Sequence, residues 1–124
     1  MDKQIICRLR DINRAIAELE RQFSQQFDVN INEAMLLCTL KEKGELSSGA
    51  IAEALGLSAS NASKVIASSE KKNLISRVLC KEDKRQMFFS LTSTGKEKIE
   101  TLRQQQIELP EILREIVFSK MTYQ

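Results

Sequence analysis

The chain has 124 residues, of which 42% are hydrophobic, 29% are charged and only 5% are aromatic. That length fits one domain with a core of Leu, Ile, Val and Ala, and the apolar content excludes a disordered chain. With only 4 Gly and 1 Pro, turn residues are scarce, which disfavours an all-β barrel or sandwich and favours helices. There is no His and the 3 Cys form no CxxC pair, which excludes a His-containing metal site, a His general base and a disulfide framework.

The net charge of +2 hides an uneven distribution along the sequence. Residues 60–92 contain seven basic and three acidic side chains. Residues 1–43 and 93–124 each contain equal numbers of the two, and residues 44–59 contain two acidic side chains and no basic one. A local basic excess of this kind is typical of a surface that meets a polyanion, although it also fits an ordinary solvated face. No apolar run reaches the roughly 20 residues that span a membrane. We expect no membrane partner and no signal peptide, and therefore a cytoplasmic protein.

The first predicted element is an amphipathic helix over residues 3–24. Its apolar side chains recur every three or four residues, which is the narrow seam of a heptad pattern. Such a seam packs either on its own domain or on a second chain, and we favour a second chain. The seam contains Ile5, Leu9, Ile12, Ile16, Leu19 and Phe23.

A buried helix is predicted next, over residues 33–43. Asn32 is expected to cap its start and Gly44 to end it. Its apolar residues are nearly continuous, so Cys38 is expected to fill the core.

Two short helices follow in close succession. The first covers residues 48–55, begins at Ser47 or Ser48 and ends at Gly56, and the second covers about 59–72. Their tight connection has the dimensions of a helix-turn-helix.

The second helix of this pair has an unusual composition on its exposed side. Small hydroxyl and amide side chains stabilise a helix interior poorly, but they suit hydrogen bonds to phosphates and base edges. Because lysines lie nearby, we favour a groove-facing surface over a plain surface helix. The expected exposed positions are Ser60, Asn61, Ser63, Lys64, Ser68 and Ser69.

A β-hairpin is predicted directly after this helix. Asn73 is expected to adopt the left-handed conformation that ends the helix. Strands over residues 74–80 and 87–91 are expected to pair antiparallel across a polar turn at 81–86. A helix-turn-helix followed by a hairpin with a basic tip is a winged helix-turn-helix.

The remainder of the chain is predicted to form two helices. The first begins at Thr92 or Thr94 and runs to about residue 106, and the second covers 111–121 after Pro110. Both terminal regions are therefore helical with one apolar side, and we expect them to form a self-association layer. The apolar face of the last helix contains Ile112, Leu113, Ile116 and Val117.

In this order, the motifs resemble the multiple-antibiotic-resistance regulator (MarR) family of bacterial transcription factors. Asp83-Lys84-Arg85 followed by Leu91-Thr92-Ser93-Thr94-Gly95 matches the family's wing pattern, D-x-R and then L-T-x-x-G. Residues 51–58 are similar to the family's second helix and turn. Residues 63–66 and 70–77 are similar to its recognition helix and the entry to its wing. The resemblance covers about residues 30–100 closely and the flanking helices by position.

The resemblance implies a mainly α fold with a small β-hairpin wing, in a single MarR-like domain over residues 1–124. Residues 30–100 would form its winged helix-turn-helix core, and residues 1–27 and 101–124 its dimerisation layer. The resemblance also implies a homodimer that binds double-stranded DNA sequence-specifically. Its two-fold symmetry predicts a pseudo-palindromic site with half-sites roughly 34–36 Å apart. The implied dimerisation residues are Ile5, Leu9, Ile12, Ile16, Leu113, Ile116 and Val117.

The family's mode of docking also implies roles for single residues. The recognition helix would enter the major groove, where Asn61 is best suited to adenine. Arg85 at the wing tip would reach the minor groove, and Asp83 would orient an arginine rather than touch DNA. Arg77 would pair with Asp83 or approach a phosphate, and the sequence does not decide between them. The implied DNA-binding set is Ser60, Asn61, Ser63, Lys64, Arg77, Lys84 and Arg85.

Two positions depart from the family pattern, since Ser69 stands where Leu is usual and Asn73 where Gly is usual. Ser69 is expected to loosen the packing of the recognition helix, whereas Asn73 is expected to keep the same backbone. Many such regulators are released from DNA by a small phenolic ligand or by an oxidant, but no residue set here defines a ligand, and no cofactor is expected. Cys7 and Cys80 are candidate oxidant sensors, with an unreactive structural role favoured.

Two other classes of function compete with a DNA-binding regulator. A winged-helix protein-interaction module is the alternative, and Lys64 together with the basic wing residues argues against it. An enzyme is rejected because the chain has no His, no glycine-rich phosphate loop and no cluster of catalytic carboxylates.

Overall fold

A computed structural model describes residues 1–79 and 87–119 of the chain. Its mainly helical architecture with a small antiparallel sheet confirms the predicted fold class. The chain divides into two compact units, residues 1–28 with the chain from Gln106 onward, and residues 29–105. Among the described residues, no helix is both long and apolar enough to cross a membrane. The elements are α1 (Lys3–Phe27), α2 (Ile31–Lys43), β1 (Leu46–Ser47), α3 (Ser48–Leu55), α4 (Ala59–Lys71), β2 (Ile75–Leu79), β3 (Met87–Leu91), α5 (Ser93–Arg103) and α6 (Glu111–Ser119).

The first unit consists of α1 and α6, which contact each other. Asp2 caps α1 by accepting a hydrogen bond from the Gln4 amide at 2.8 Å. The helix continues three residues beyond the predicted end at residue 24, because Phe27 lies one turn after Phe23 and packs edge-on against it, with 4.7 Å between ring centroids. Asp28 then ends the helix in the left-handed conformation, at φ 60°.

The second unit begins with α2, and here the predicted cap is wrong. Asn30, not Asn32, caps the helix: its side chain accepts from the Glu33 amide, and the Glu33 carboxylate accepts from the Asn30 amide, both at 2.8 Å. This reciprocal capping box needs a Glu or Gln three residues after the cap, which Asn30 has and Asn32 does not. Asn32 therefore lies within the first turn, while Gly44 ends the helix as predicted, at φ 87°.

Only one side of α2 is buried, and the prediction that Cys38 fills the core is also wrong. Leu36, Leu37 and Leu40 are buried, whereas Met35 and Cys38 are exposed on the opposite side. A continuous apolar run carries no information about which side of a helix faces inward.

The helix-turn-helix forms as predicted, from α3 and α4. Ser47 caps α3 and Ser58 caps α4, each through a side-chain oxygen that accepts an amide hydrogen bond, at 3.2 and 3.1 Å. Gly56 ends α3 at φ 68°, a left-handed conformation that glycine adopts without steric cost. Ile51 of α3 and Ala62 of α4 are almost fully buried, so the two helices share one core.

The sheet has three strands in the order β1-β3-β2, all antiparallel. In β2 and β3, Arg77 lies opposite Phe89. The strand β1 was not predicted, because two residues are too few to show a period. The predicted turn at 81–86 lies outside the described residues, as does Cys80 at the predicted end of β2.

A backbone junction joins the end of α4 to the start of α5. Asn73 takes the predicted left-handed conformation, at φ 61°. Thr92, one of the two predicted caps, accepts from the Gly95 amide at 3.0 Å and donates its hydroxyl to the Asn73 carbonyl at 2.7 Å. The Thr92 amide donates to the Leu74 carbonyl at 3.1 Å. The L-T-x-x-G motif therefore fastens the helix-turn-helix to α5.

Both C-terminal helices are shorter in the described residues than predicted. The helix α5 ends at Arg103 rather than at about residue 106, because Gln104 already acts as its cap. The helix α6 is described from Glu111 to Ser119, and the predicted last turn, residues 120–121, lies outside the described residues.

Candidate nucleic-acid interface

The helix α4 is amphipathic, with its polar side turned to solvent. Ala62, Val65 and Ile66 are buried in the core of the second unit. On the opposite side, every polar residue assigned to the major groove is exposed. The result is one continuous strip of hydrogen-bonding groups, formed by Ser60, Asn61, Ser63 and Lys64.

Ser68 and Ser69 do not belong to this strip, which corrects the prediction that both are exposed. Ser68 is half-buried and donates its hydroxyl to the Val65 carbonyl at 3.1 Å. Ser69 is fully buried, and its hydroxyl has no hydrogen-bond partner within the described residues. The position is thus a core position, which explains why a leucine is usual there in the family that the sequence resembles.

Arg77 of β2 reaches the last turn of α4, where it meets Glu70. Its Nε donates to one carboxylate oxygen at 2.9 Å and its Nη2 to the other at 3.3 Å. The guanidinium also lies 5.8 Å from the ring centroid of Phe89. The hydrogen bonds and charge of Glu70 raise the pKa of Arg77. The sequence offered Asp83 or a phosphate as its partner, and Asp83 lies outside the described residues.

Lys72, the residue that caps the C-terminal end of α4, bonds to a buried carboxylate. Its Nζ lies 2.8 Å from Oε1 of Glu33, which is 0% exposed. Burial pushes the pKa of Glu33 upward, but the hydrogen bonds from Lys72 and the Asn30 amide, together with the charge of Lys72, outweigh it and hold the pKa below its ordinary value. The sequence signal for Glu33 is its spacing of three residues from Asn30, which is that of a capping box.

The basic segment therefore contributes less free positive charge than its composition indicates. Lys64 and Lys71 are exposed, and no carboxylate of the described residues pairs with them. The wing residues with predicted roles lie outside the described residues, namely the DNA-contacting Lys84 and Arg85 and the orienting Asp83.

The helices of the first unit expose apolar side chains to solvent. Ile12 is half-buried and Leu113 is buried, and the other predicted dimerisation residues are exposed. Ile6 and Phe118 add to the exposed apolar surface, although the predicted faces did not include them. The exposed predicted residues are Ile5, Leu9, Ile16, Ile116 and Val117.

The described cysteines give little support to an oxidant sensor. Cys7 is half-buried and Cys38 is exposed. Partial burial and the neighbouring Glu42 carboxylate raise the pKa of Cys38, so its thiol stays protonated and weakly nucleophilic.

The second unit also contains an open groove of about 690 Å³ beside α5. Leu40 and Leu91 contribute apolar surface to it. Lysines and glutamates both line it, so its charge selects neither an anionic nor a cationic ligand. These residues are Lys41, Glu45, Lys96, Glu97 and Glu100.

Comparison with known proteins identifies relatives that share this sequence pattern and this fold. The model of the MarR family matches residues 29–87, from the start of α2 to the start of β3. A curated relative, the uncharacterized HTH-type transcriptional regulator YwaE of Bacillus subtilis, is 31% identical over 93 residues. These matches show that the chain is similar to the MarR family. The matched region is 75% of this chain and 54% of the relative, so the chain spans about half the length of YwaE.

Solved structures have the same fold. AbsC, a MarR family transcriptional regulator from Streptomyces coelicolor, is 27% identical with a TM-score of 0.68, over 83% of this chain and 73% of AbsC. A mutant MarR from E. coli complexed with operator DNA has a TM-score of 0.72 at 16% identity, over 99% of this chain and 86% of that protein. At that identity, the second match concerns the fold alone.

Proposed function

We propose that this protein is a MarR-family transcriptional regulator without catalytic activity that binds double-stranded DNA sequence-specifically in the cytoplasm. The main support for this proposal is the exposed polar strip on α4. The opposite side of the helix is buried in the core, so the strip has to face solvent or a ligand. An amide such as Asn61 can bond an adenine edge in two places, and the serine hydroxyls suit phosphates or bases. The shared fold of the E. coli MarR complexed with operator DNA supports the same use of the helix-turn-helix.

In the proposed complex, α4 occupies the major groove and the wing approaches the adjacent minor groove. The α4 strip reads base edges, and Lys64 and Lys84 neutralise phosphates. Arg85 enters the minor groove and Asp83 orients an arginine, two roles that rest on the family resemblance. Arg77 contributes a phosphate contact.

A homodimer is the second part of the proposal, with α1 and α6 as its interface. These helices expose several large apolar side chains, as surfaces that pack against another chain do. Two copies of the winged helix-turn-helix would read two half-sites of a pseudo-palindrome. All of residues 1–124 would then act as one MarR-like domain.

The proposed DNA binding is tested by fluorescence anisotropy. The protein is titrated into duplex DNA from the region upstream of its own gene and into a scrambled duplex, across a salt series. We expect tighter binding to the upstream duplex and a steep fall of affinity with salt. Equal, weak affinity for both duplexes would refute sequence-specific binding and favour the winged-helix protein-interaction module.

Lys64→Ala is expected to reduce the dependence of DNA affinity on salt. Loss of one phosphate contact lowers the slope of log affinity against log salt concentration by about 0.9. Lys96→Ala on α5 is the matched control, because it removes the same exposed charge outside α4. If both variants have the same slope, Lys64 makes no special phosphate contact.

Leu9→Glu is expected to convert the protein to monomers. The half-exposed Leu9 side chain would be buried in the proposed interface, where an unpaired carboxylate is strongly unfavourable. Light scattering should give the mass of one 14.1 kDa chain for the variant and twice that mass for the wild type. Asn13→Glu places the same charge on an exposed position of α1 that lies off the predicted seam, and should remain dimeric. A dimeric Leu9→Glu protein would exclude this interface.

A further inference from the structure

The ion pair between Glu70 and Arg77 connects the proposed recognition helix to the first strand of the wing. Both carboxylate oxygens are engaged, one by Nε at 2.9 Å and one by Nη2 at 3.3 Å. This side-on geometry fixes the plane of the guanidinium, and Phe89 lies 5.8 Å from it. The pair thus holds a cation in a defined orientation beside the last turn of α4.

Glu70 neutralises the charge of Arg77, but the guanidinium remains exposed to solvent. A guanidinium has five N–H donors, so the two hydrogen bonds to Glu70 leave three for another acceptor. The side chains of Arg77 and Glu70 are 59% and 25% exposed. Exposed ion pairs contribute little to stability, so a phosphate that arrives in the right place can replace the carboxylate.

The cations of this segment are held in different ways. Lys72 bonds to Glu33, whose carboxylate is fully buried. Lys64 projects from the exposed strip and pairs with no carboxylate of the described residues. Arg77 lies between these cases, because its partner is accessible and exchangeable.

We infer that Glu70 is a specificity-determining residue, which withholds Arg77 from phosphates of non-specific DNA and releases it only in the docked complex. The inference rests on the proposed DNA binding. Non-specific DNA binding depends almost entirely on phosphate neutralisation, so one masked arginine lowers it by one contact. In the sequence-specific complex α4 lies in the groove, and a phosphate held beside the pair takes the place of the carboxylate. The carboxylate thereby widens the ratio of specific to non-specific affinity.

The test is a mutant cycle measured on the scrambled duplex. It compares the wild type, Glu70→Gln, Arg77→Gln and the double variant by anisotropy across a salt series. Glu70→Gln should steepen the slope of log affinity against log salt concentration by about 0.9 and raise non-specific affinity roughly fivefold at about 0.1 M salt. In the Arg77→Gln background, the same Glu70→Gln change should have little effect, because the cation that it unmasks is absent.

Glu97→Gln on α5 is the charge-matched control and should change the slope far less. Three results would overturn the inference: no gain from Glu70→Gln, an equal gain from Glu97→Gln, or an equal gain in the Arg77→Gln background. The thermal unfolding midpoint is recorded for every variant. If Glu70→Gln lowers this midpoint, the cycle is repeated with Glu70→Ala.

The proposed function is judged separately, by the preference of the wild type for the upstream duplex over the scrambled one. The mutant cycle on the scrambled duplex tests whether Glu70 masks Arg77 and needs no such preference, so masking can fail while sequence-specific binding holds. If the wild type shows no preference, the role of Glu70 in specificity fails together with the proposed function. Absence of all DNA binding by the wild type would overturn both.

Discussion

Replacing Gly95 with alanine is expected to lower the free energy of unfolding by about 3 kcal/mol, at the upper end of what overpacking costs. A Cβ at this position would lie 2.1 Å from the Leu74 carbonyl oxygen and 3.2 Å from Cδ2 of Leu91. The obstacle is backbone rather than a flexible side chain, so the junction itself must move. That movement also disturbs the hydrogen bond from the Thr92 amide to the same carbonyl, 3.1 Å long.

Urea unfolding followed by circular dichroism measures this loss, and the thermal midpoint should fall by roughly 10 °C or more. Gly49→Ala is the matched control, because a Cβ there meets no atom within 4 Å. In a helix, that change should be neutral or stabilising by up to about 1 kcal/mol. Equal midpoints for Gly95→Ala and the wild type would mean that the junction accommodates a methyl group.

Lys72→Met is expected to cost about 2 kcal/mol of stability at pH 7. Removing one partner of a buried ion pair leaves the other charge uncompensated, at a cost of roughly 3–5 kcal/mol. The expected loss is smaller because the Lys72 side chain is 40% exposed and water already screens the pair. Lys71→Met, at an exposed neighbouring lysine, is the control and should change stability little.

The destabilisation by Lys72→Met should depend on pH. The pKa of Glu33 in the folded protein lies below its ordinary value of 4.5, so its ionised form stabilises the fold above that value. This contribution disappears as the pH falls through the lowered pKa. In the variant, burial without the lysine raises the pKa, so acidification protonates Glu33 and removes the uncompensated charge. The difference between wild type and variant should therefore shrink as the pH falls from the raised pKa of Glu33 in the variant through its lowered pKa in the wild type, and a constant difference down to pH 3 would exclude this cause.

The helix-turn-helix could be predicted from sequence because local chemistry determines its boundaries. The Ser58 side chain caps the start of α4. Gly56 has no side chain, so it adopts the left-handed conformation that ends α3. The side of α2 that faces inward could not be predicted, because its apolar residues are nearly continuous. The cap at Asn30 can be predicted from the sequence, because Glu33 follows Asn30 at the three-residue spacing of a capping box.

The candidate interface was only partly predictable for a related reason. Exposure of Asn61 and its neighbours follows from helical periodicity. The two ion pairs do not, because Arg77 and Glu70 are 7 residues apart on different elements, and Lys72 and Glu33 are 39 residues apart. The net charge of residues 60–92 therefore does not show that Lys72 and Arg77 are both paired with carboxylates. Only the tertiary structure reveals which carboxylate reaches them.

The junction at Thr92 and Gly95 also bears on how proteins of this architecture diversify. Its hydrogen bonds use backbone groups and one hydroxyl, and none involves the exposed strip of α4. Substitutions on that strip do not touch the junction, so in the proposed complex the DNA sequence that is read could change while the scaffold stays the same. The motif that identifies the architecture in a sequence is thus separate from the residues that would distinguish one operator from another.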